Sequence, residues 1–394
     1  MNPPDRPSSV VDWAGIWKRF RSPYYLIALA AILVFAAATA SWVVASYLPL
    51  SLLSPWLLPV YFPFSVVFAS VYLAFLFGWG NRLLSPYYFA ALILIFGLVV
   101  YAQGDPTSYL ALSLVFTSIY ITLALAWDFS SGLSGYLNFG LPFFFGLGAF
   151  VTGYFAWGGQ HSIPFLFAVS LGVGLLGGFL FSFPTLRLRG PYFSLLSLLL
   201  PLLGLDFVVN FWTQLGMPTL GYFDLPFLAP TPGAELVILS AANGFLVTVL
   251  FLLRNSHYGL ILRGIRDDED ALSSQGIQTF PYKVVAFTLS SGIAGFAGAA
   301  YALVVTFAGV DTFEFTFLFL PILIVILGGT GEIVGVVPAG YAVILAYQYS
   351  LSWFPGFNLI AFTALAIALV LFLPRGVLGP VRRFVQFMRT PEGG

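Results

Sequence analysis

The feature that most constrains the fold is a series of apolar stretches, each about as long as a bilayer-crossing helix. Such a helix needs about 20 mostly apolar residues. Of the 394 residues, 60% are hydrophobic and only 8% are charged, whereas soluble globular proteins carry about 25% charged residues. The sequence therefore predicts an all-α, polytopic transmembrane helical bundle. The stretches lie near residues 25–47, 56–79, 84–102, 109–127, 136–157, 163–184, 191–213, 235–254, 284–308, 313–330, 333–352 and 356–373.

Two of these stretches are weaker than the others. Stretch 136–157 contains Pro142 and many glycines, and stretch 313–330 is short and ends in Gly328 and Gly329. Irregular backbone at membrane depth persists only where it is buried in protein or lines a cavity. We therefore expect about ten to twelve spans, with these two as candidates for glycine-rich broken or re-entrant segments.

The basic residues predict the orientation of the bundle. With twelve spans and the N-terminus inside, the inner segments hold all 15 Lys and Arg residues. Because Lys and Arg concentrate on the cytoplasmic side, we expect a multi-pass protein of the cell (inner or plasma) membrane with both termini cytoplasmic. The expected divisions are a cytoplasmic N-terminal segment at 1–24, an extension of about three spans at 25–108, a core at 109–380 with a cytoplasmic loop at 255–283, and a cytoplasmic tail at 381–394.

The 255–283 loop is the polar interval on which the interpretation turns. Four acidic residues stand together from Asp267 to Asp270, and they could begin a short helix that Gly276 ends. A short amphipathic helix flanked by charges is what a soluble partner could grip. A run of charges is, however, more often a solvated surface.

A few polar residues inside the apolar stretches are candidates for a pathway. Asp206 and Asn210 are one helical turn apart and share a face. They either line a water-filled pathway or are satisfied near the outer interface or by a neighbouring helix. Asn138 lies in a glycine-dense stretch that is either a ligand-holding broken helix or a closely packed kinked one. Asp128 is expected at a membrane edge.

Several kinds of site are excluded or disfavoured by the sequence. There is no cysteine, and the two histidines, His161 and His257, lie in different loops, so we expect no metal site. The phosphate-binding pattern GxxxxGK[ST] is absent, so the chain does not hydrolyse ATP by that route. Ser291-x-x-x-Gly295 and Ala294-x-x-x-Gly298 favour close helix packing within the bundle over a partner interface.

Five stretches follow one another in the core. They are GYLNFGLPFFFGLGAF at 135–150, LRLRGPYFSLLSL at 186–198, LRGIRDDEDALSSQGIQTFPYK at 262–283, ILGGTGEIVGVVPAG at 326–340 and LFLPRGVLG at 371–379. In this order they resemble the permeases of branched-chain amino-acid ABC importers, of the LivM type. Asp270-Ala271-Leu272-x-x-x-Gly276 is similar to the Glu-Ala-Ala-x-x-x-Gly coupling signature of that superfamily, with Asp270 in place of Glu and Leu272 in place of Ala.

The resemblance implies a transport subunit and not an enzyme. Such a subunit translocates branched-chain or related amino acids inward, and separate ATPase subunits that dock on the 255–283 loop carry ATP and Mg, so this chain binds no cofactor itself. The implied partners are a LivH-like second permease, two ABC ATPase subunits, an extracytoplasmic substrate-binding protein and membrane lipid, with no nucleic acid. The implied coupling residues are Arg263, Arg266, Asp267, Asp268, Glu269, Asp270, Ala271 and Gly276, and the candidates for the translocation pathway are Asn138, Asp206 and Asn210.

Two alternatives stay open at this point. Related permeases handle urea or short amides, and nothing in the spans selects among these substrates. A different class of function is a secondary carrier or channel driven by an ion gradient, in which Asp206 would be the proton or cation site.

Overall fold

The computed structural model describes residues 109–188, 191–212, 221–222 and 224–353. The predicted spans at 25–47, 56–79, 84–102 and 356–373 lie outside this part of the chain. Within it, the secondary structure is helical, and the only β-type pairing is an isolated antiparallel bridge between Tyr222 and Ala308. The predicted all-α class is therefore confirmed.

Nine α-helices follow one another in the described residues. They are α1 Tyr109–Trp127, α2 Leu141–Trp157, α3 Ile163–Thr185, α4 Pro191–Asp206, α5 Pro232–Asn255, α6 His257–Ser274, α7 Phe280–Val305, α8 Thr316–Gly328 and α9 Val336–Trp353. Short π-helical turns extend α1 (Asp128–Gly132) and α4 (Phe207–Trp212), and short 3-10 turns at Val310–Phe313 and Ile333–Gly335 precede α8 and α9.

Five segments of the described residues are long and apolar enough to cross a membrane: α3, α5 and α7, and α1 and α4 together with the π-helical turns that extend them. Helix α8 has 13 residues and, taken with the 333–348 segment, forms a pair bent by 114°. A pair bent this strongly is a broken span or a re-entrant loop, so the sequence correctly marked 313–330 as weak.

The predicted stretch 136–157 is only partly helical. Helix α2 begins at Leu141, and residues 135–140 before it are irregular. Pro142 lies in the first turn of α2, where its missing N–H leaves no helical hydrogen bond unmade. The stretch is therefore interrupted before Leu141, and Pro142 lies at the start of the helix that follows.

Helices α1 and α7 form the centre of the described bundle. Helix α7 packs against α1, α2 and α3, and α1 also packs against α5, α8 and α9. Glycines permit these crossings: a Cβ at Gly298 would collide with the carbonyl oxygen of Phe145, and a Cβ at Gly174 would lie 2.6 Å from that of Ser291. The expectation that the small-residue pattern serves packing within the chain is confirmed.

Candidate functional site

Helix α6 has a kink that divides it into two parts. Asp268 leaves helical geometry at φ −161° and ψ 103°, and its Oδ1 accepts a hydrogen bond from the Ala271 N–H at 2.9 Å. This is the geometry of an N-cap, so a short second helix begins at Glu269. We call residues 269–274 the coupling helix, after the role that the sequence resemblance implies for this segment.

The coupling helix ends where the sequence predicted. Gly276 has φ +83°, its N–H donates to the carbonyl of Ser273 at 3.0 Å, and the Ile277 N–H donates to that of Leu272 at 3.2 Å. This pair of bonds is a Schellman motif, which needs a left-handed residue and so favours glycine. Leu272 also packs back against Gly264 in the first part of α6.

Glu269 points inward, unlike its neighbours, and joins three parts of the chain. Its carboxylate accepts hydrogen bonds from the Tyr136 hydroxyl, from Thr279 Oγ1 at 2.5 Å and from Lys283 Nζ at 2.8 Å. The ion pair is well shielded, with the Lys283 side chain 5% exposed and that of Glu269 13% exposed. The coupling helix is thereby fastened both to the start of α7 and to the irregular 135–140 segment.

The electrostatics of Glu269 follow from these contacts. Burial alone would raise the pKa of its carboxyl group, but the hydrogen bonds from Lys283, Thr279 and Tyr136 favour the charged form and outweigh burial, so the pKa lies below the ordinary 4.5. Lys283 also lies 4.5 Å from the centre of the Tyr136 ring, in a cation–π contact.

Arg266 fastens the first part of α6 to two other turns. Its Nη1 donates to the carbonyl oxygens of Gly132 at 2.7 Å and Thr330 at 3.3 Å. Arg263, by contrast, bonds within its own neighbourhood, to the carbonyls of Gly259 and Arg254. Of the two predicted coupling arginines, Arg266 is thus the one that links separate elements.

The other predicted coupling residues face outward. Asp267, Asp268, Asp270 and Ala271 are exposed side by side. The three aspartates present carboxylate groups to solvent, whereas Glu269 between them is partly buried. Beside them is an open groove of about 560 Å³, lined by residue 273 and residues 276–281.

Asn138 is buried in the irregular segment. Its Oδ1 accepts from the Gly140 N–H at 2.9 Å and its backbone carbonyl accepts from Trp127 Nε1 at 2.8 Å, whereas Nδ2 is enclosed without a hydrogen-bond partner. Asn138 lines a cavity of about 10 Å³ together with Lys283 and Tyr136.

Asp206 and Asn210 lie together but apart from Asn138. Asn210 Nδ2 donates to Asp206 Oδ1 at 2.6 Å, and both side chains are exposed on the outside of α4. The Asn138 region touches α4 near Ser197, and Asp206 is nine residues later, which is about 13 Å along a helix. The described residues do not bring the three pathway candidates to one place.

Asp128 was expected at a membrane edge, which stays a prediction. Its side chain is fully buried within the protein, and its Oδ1 accepts from the Gly331 N–H at 2.6 Å. Arg254 lies in the same cluster, where it donates to the Gly331 carbonyl at 2.6 Å and pairs with Glu332 at 3.1 Å. The π-helical turn that buries Asp128 leaves no sequence signal.

Sequence reasoning also did not single out Tyr136, Thr279 or Lys283 as site residues. The one available signal was the position of Lys283, a basic residue directly before an apolar run. Among the described residues, no group of three or more His, Cys, Asp or Glu side chains could hold a metal ion.

Comparison with known proteins identifies related sequences. Residues 109–377 match the family described as branched-chain amino acid transport system / permease component. The chain is 28% identical to the high-affinity branched-chain amino acid transport system permease protein LivM of Salmonella typhimurium over 300 residues, 68% of this chain and 69% of the relative. It is also 28% identical to the LivM protein of Escherichia coli over 301 residues, with the same coverage of both chains.

A shorter match concerns a different named substrate. The chain is 28% identical over 144 residues to the nucleoside ABC transporter permease protein NupC of Lactococcus lactis, which covers 33% of this chain and 45% of the relative. No solved structure matches the chain.

Proposed function

Because this chain belongs to the family of branched-chain amino acid transport system permease components, we propose that it carries branched-chain or related amino acids inward, driven by separate ATPase subunits. It is a multi-pass membrane permease subunit, and its relatives are transport permeases rather than enzymes. The proposal therefore concerns the substrate, the direction of transport and the way the ATPases act.

The observation that carries the proposal is the two-sided arrangement of the coupling helix. Its exposed side presents Asp270 and Ala271 to solvent next to Asp267, which precedes the kink, and its buried side is fastened through Glu269 to Tyr136 and Lys283. A partner that grips the exposed side would move a helix already tied to two elements of the bundle. We propose that the ATPase subunits grip this side and that the loop faces the cytoplasm.

The rest of the assembly follows from the same proposal. A LivH-like second permease would complete the pathway, two ATPase subunits would bind ATP and Mg, and an extracytoplasmic protein would deliver substrate. Both termini of this chain would then be cytoplasmic. The exposed aspartates and the groove at 276–281 favour an ATPase surface with basic residues around an apolar projection.

Docking is tested by purifying the tagged chain in mild detergent and measuring the ATPase recovered with it. The variant Asp267→Asn with Asp270→Asn removes two exposed charges and leaves the Asp268 cap in place. Each exposed ion pair is worth up to about 1 kcal/mol, so we expect binding to weaken about tenfold. The control, Asp224→Asn, removes one exposed charge elsewhere. Unchanged ATPase recovery in the double variant would contradict the docking proposal.

Substitution of Asp206 distinguishes an ATP-driven importer, in which Asp206 borders the translocation pathway, from a secondary carrier, in which Asp206 is the ion site. A carboxylate on an exposed, apolar face of α4 is costly against lipid, so we propose that this face borders the pathway beside the second permease. Asp206→Asn should then lower the rate of ATP-driven uptake without abolishing the ATP requirement. Uptake by the chain alone, driven by an ion gradient and lost in Asp206→Asn, would instead support a secondary carrier.

Branched-chain amino acids are the proposed substrates because both LivM relatives are named for them. The shorter nucleoside match supplies the competing candidate. Competition against labelled leucine uptake by isoleucine, valine, a short amide and uridine separates the classes. Inhibition by uridine but not by valine would contradict the proposed substrate class.

A further inference from the structure

The small cavity beside Asn138 is bordered by several hydrogen-bond donors, one of which has no acceptor. Asn138 lines this cavity, its Oδ1 accepts a hydrogen bond from the Gly140 N–H, and its buried Nδ2 has no hydrogen-bond partner. Asn138 is 1% exposed. Lys283 and the Tyr136 hydroxyl border the same space.

The two serines that line the cavity are satisfied elsewhere. Ser130 Oγ bonds to Ser290 Oγ at 3.1 Å, and Ser134 Oγ donates to the carbonyl of Ser130 at 2.5 Å. Asn138 Nδ2 therefore lacks an acceptor, whereas Lys283 Nζ is already held by Glu269 and Tyr136. A buried, unpartnered donor is costly, and a negatively charged acceptor would satisfy Nδ2 and could also pair with Lys283 once Glu269 withdrew.

A carboxylate already uses the other side of this donor set. Glu269 accepts from Tyr136, Thr279 and Lys283. These donors are thus able to hold a carboxylate, and Lys283 can exchange the carboxylate of Glu269 for another one. The remaining wall of the cavity is apolar, formed by Phe193, Phe287 and their neighbours.

We propose that, in a second conformation of the protein, this cavity binds the carboxylate of the transported molecule. In the conformation described here, the Glu269–Lys283 ion pair closes the site. The proposal rests on the proposed function, because movement of the coupling helix withdraws Glu269 and leaves Lys283 and Asn138 for the incoming carboxylate. The apolar wall would receive the adjoining aliphatic chain. The ligand class is a small aliphatic carboxylate.

The size of the cavity requires this movement. Its volume of about 10 Å³ is close to what one water molecule needs and too small for a carboxylate with its chain. The irregular 135–140 segment, which supplies Tyr136 and Asn138 to the cavity wall, is tied to α6 by the hydrogen bond from Tyr136 to Glu269. Gly135 also lies close to Arg266, since a Cβ at Gly135 would be 3.0 Å from Arg266 Cγ. Displacement of α6 would therefore pull on this wall.

The absence of cysteine from the chain permits a direct occupancy measurement. Ser134→Cys places one thiol in the cavity of the assembled transporter, and its reaction with methyl methanethiosulfonate is timed with and without ATP. We expect the reaction to be faster in one nucleotide state. Leu188→Cys, on an exposed turn, is the control for reagent reactivity.

Protection of the thiol by three related compounds then shows whether the site recognises the carboxylate or the amine of the ligand. In the fast state, leucine and 4-methylpentanoate, which lacks the amine, should slow the reaction at Ser134→Cys, and 3-methylbutan-1-amine, which lacks the carboxylate, should not. Protection should weaken about tenfold or more in Lys283→Met and survive in Lys283→Arg, because a hydrogen bond to a charged group is lost only in the first. Asn138→Asp keeps the shape and replaces the donor by an oxygen, so protection by carboxylates should also fail there.

Other outcomes would overturn the proposal. Equal protection by the amine, or protection by no compound in any nucleotide state, contradicts a carboxylate site. If ATPase subunits co-purify and leucine is taken up while protection is absent, only this inference fails. If no ATPase associates with the chain, the proposed function fails together with it.

Discussion

At the scale of single residues, Glu269 differs from the other acidic residues of the 267–270 run in its exposure and its contacts. Its neighbours Asp267, Asp268 and Asp270 are exposed, whereas Glu269 turns inward to Lys283. A buried cation without its partner is strongly destabilising. Among these four acidic residues, Glu269 is therefore the one whose substitution should lower the stability of the helix bundle.

The first prediction concerns the acid sensitivity of this contact. The folded pKa of Glu269 lies below its ordinary value of 4.5, so its stabilising contribution is complete above about pH 4.5 and is lost as the pH falls through the lower folded pKa. At neutral pH, Glu269→Gln should lower the free energy of unfolding by about 3 kcal/mol.

Thermal unfolding in detergent, followed from neutral to acidic pH, checks this expectation. The difference between the parent chain and Glu269→Gln should be constant near neutral pH and shrink in the acidic range. In Lys283→Met, the main group that lowers the pKa is gone, so burial should raise the folded pKa of Glu269, and the loss of stability caused by its protonation should shrink or reverse. A difference that grows as the pH falls would contradict the assigned ion pair.

At the scale of helices, close contact between backbones holds α7 in the centre. A Cβ at Gly298 would collide with the Phe145 carbonyl, whereas nothing lies within 4 Å of a Cβ at Gly172 in α3. We expect Gly298→Ala to destabilise the protein by about 1 to 3 kcal/mol through overpacking. Gly172→Ala should stabilise it by about 0.5 to 1 kcal/mol because alanine is the better helix former.

The two glycine variants form a matched pair for one assay. Both add a single methyl group inside a helix, so the melting temperatures of the purified proteins separate contact from helix propensity. Equal shifts for Gly298→Ala and Gly172→Ala would show that the α2–α7 contact does not limit stability.

The extent to which the sequence predicts these elements depends on what ends each helix. Helix α3 was placed at 163–184 and occupies Ile163–Thr185, because uninterrupted apolar sequence sets its length. The end of the coupling helix at Gly276 was also predictable, since the left-handed turn requires glycine. Helix α7 begins at Phe280, whereas the sequence predicted residue 284. The predicted start was too late because lysine is seldom buried, so Lys283 was assigned to the polar loop and not to the first turn of the helix.

The candidate site was less predictable than the helices for the same physical reason. Charge alone marks 267–270 as one group, whereas the kink at Asp268 turns Glu269 to the opposite side. Tyr136 and Lys283 are far from each other in sequence, and only the packing of α7 beside the 135–140 segment brings them together. A contact of this kind leaves no pattern in a single sequence.

At the scale of the whole molecule, substitution of the Glu269–Lys283 pair allows two roles to be tested separately: stabilisation of the fold and transmission of the movement of the coupling helix. If opening and closing of this pair couples movement of the coupling helix to the substrate pathway, then removal of the pair should uncouple ATP hydrolysis from uptake even when the protein is stable. The double variant Glu269→Gln with Lys283→Met tests this, because removal of both charges leaves neither buried and unpaired.

We expect the double variant to regain most of the stability that Lys283→Met alone loses, about 3 kcal/mol. It should still bind ATPase subunits, since the exposed Asp267 and Asp270 are intact. In proteoliposomes that contain the full transporter, ATP hydrolysis should persist while uptake per ATP falls about tenfold. Recovery of uptake in parallel with stability would mean that the pair only holds the fold, and that movement of the coupling helix reaches the bundle through Arg266 and its bonds to Gly132 and Thr330 instead.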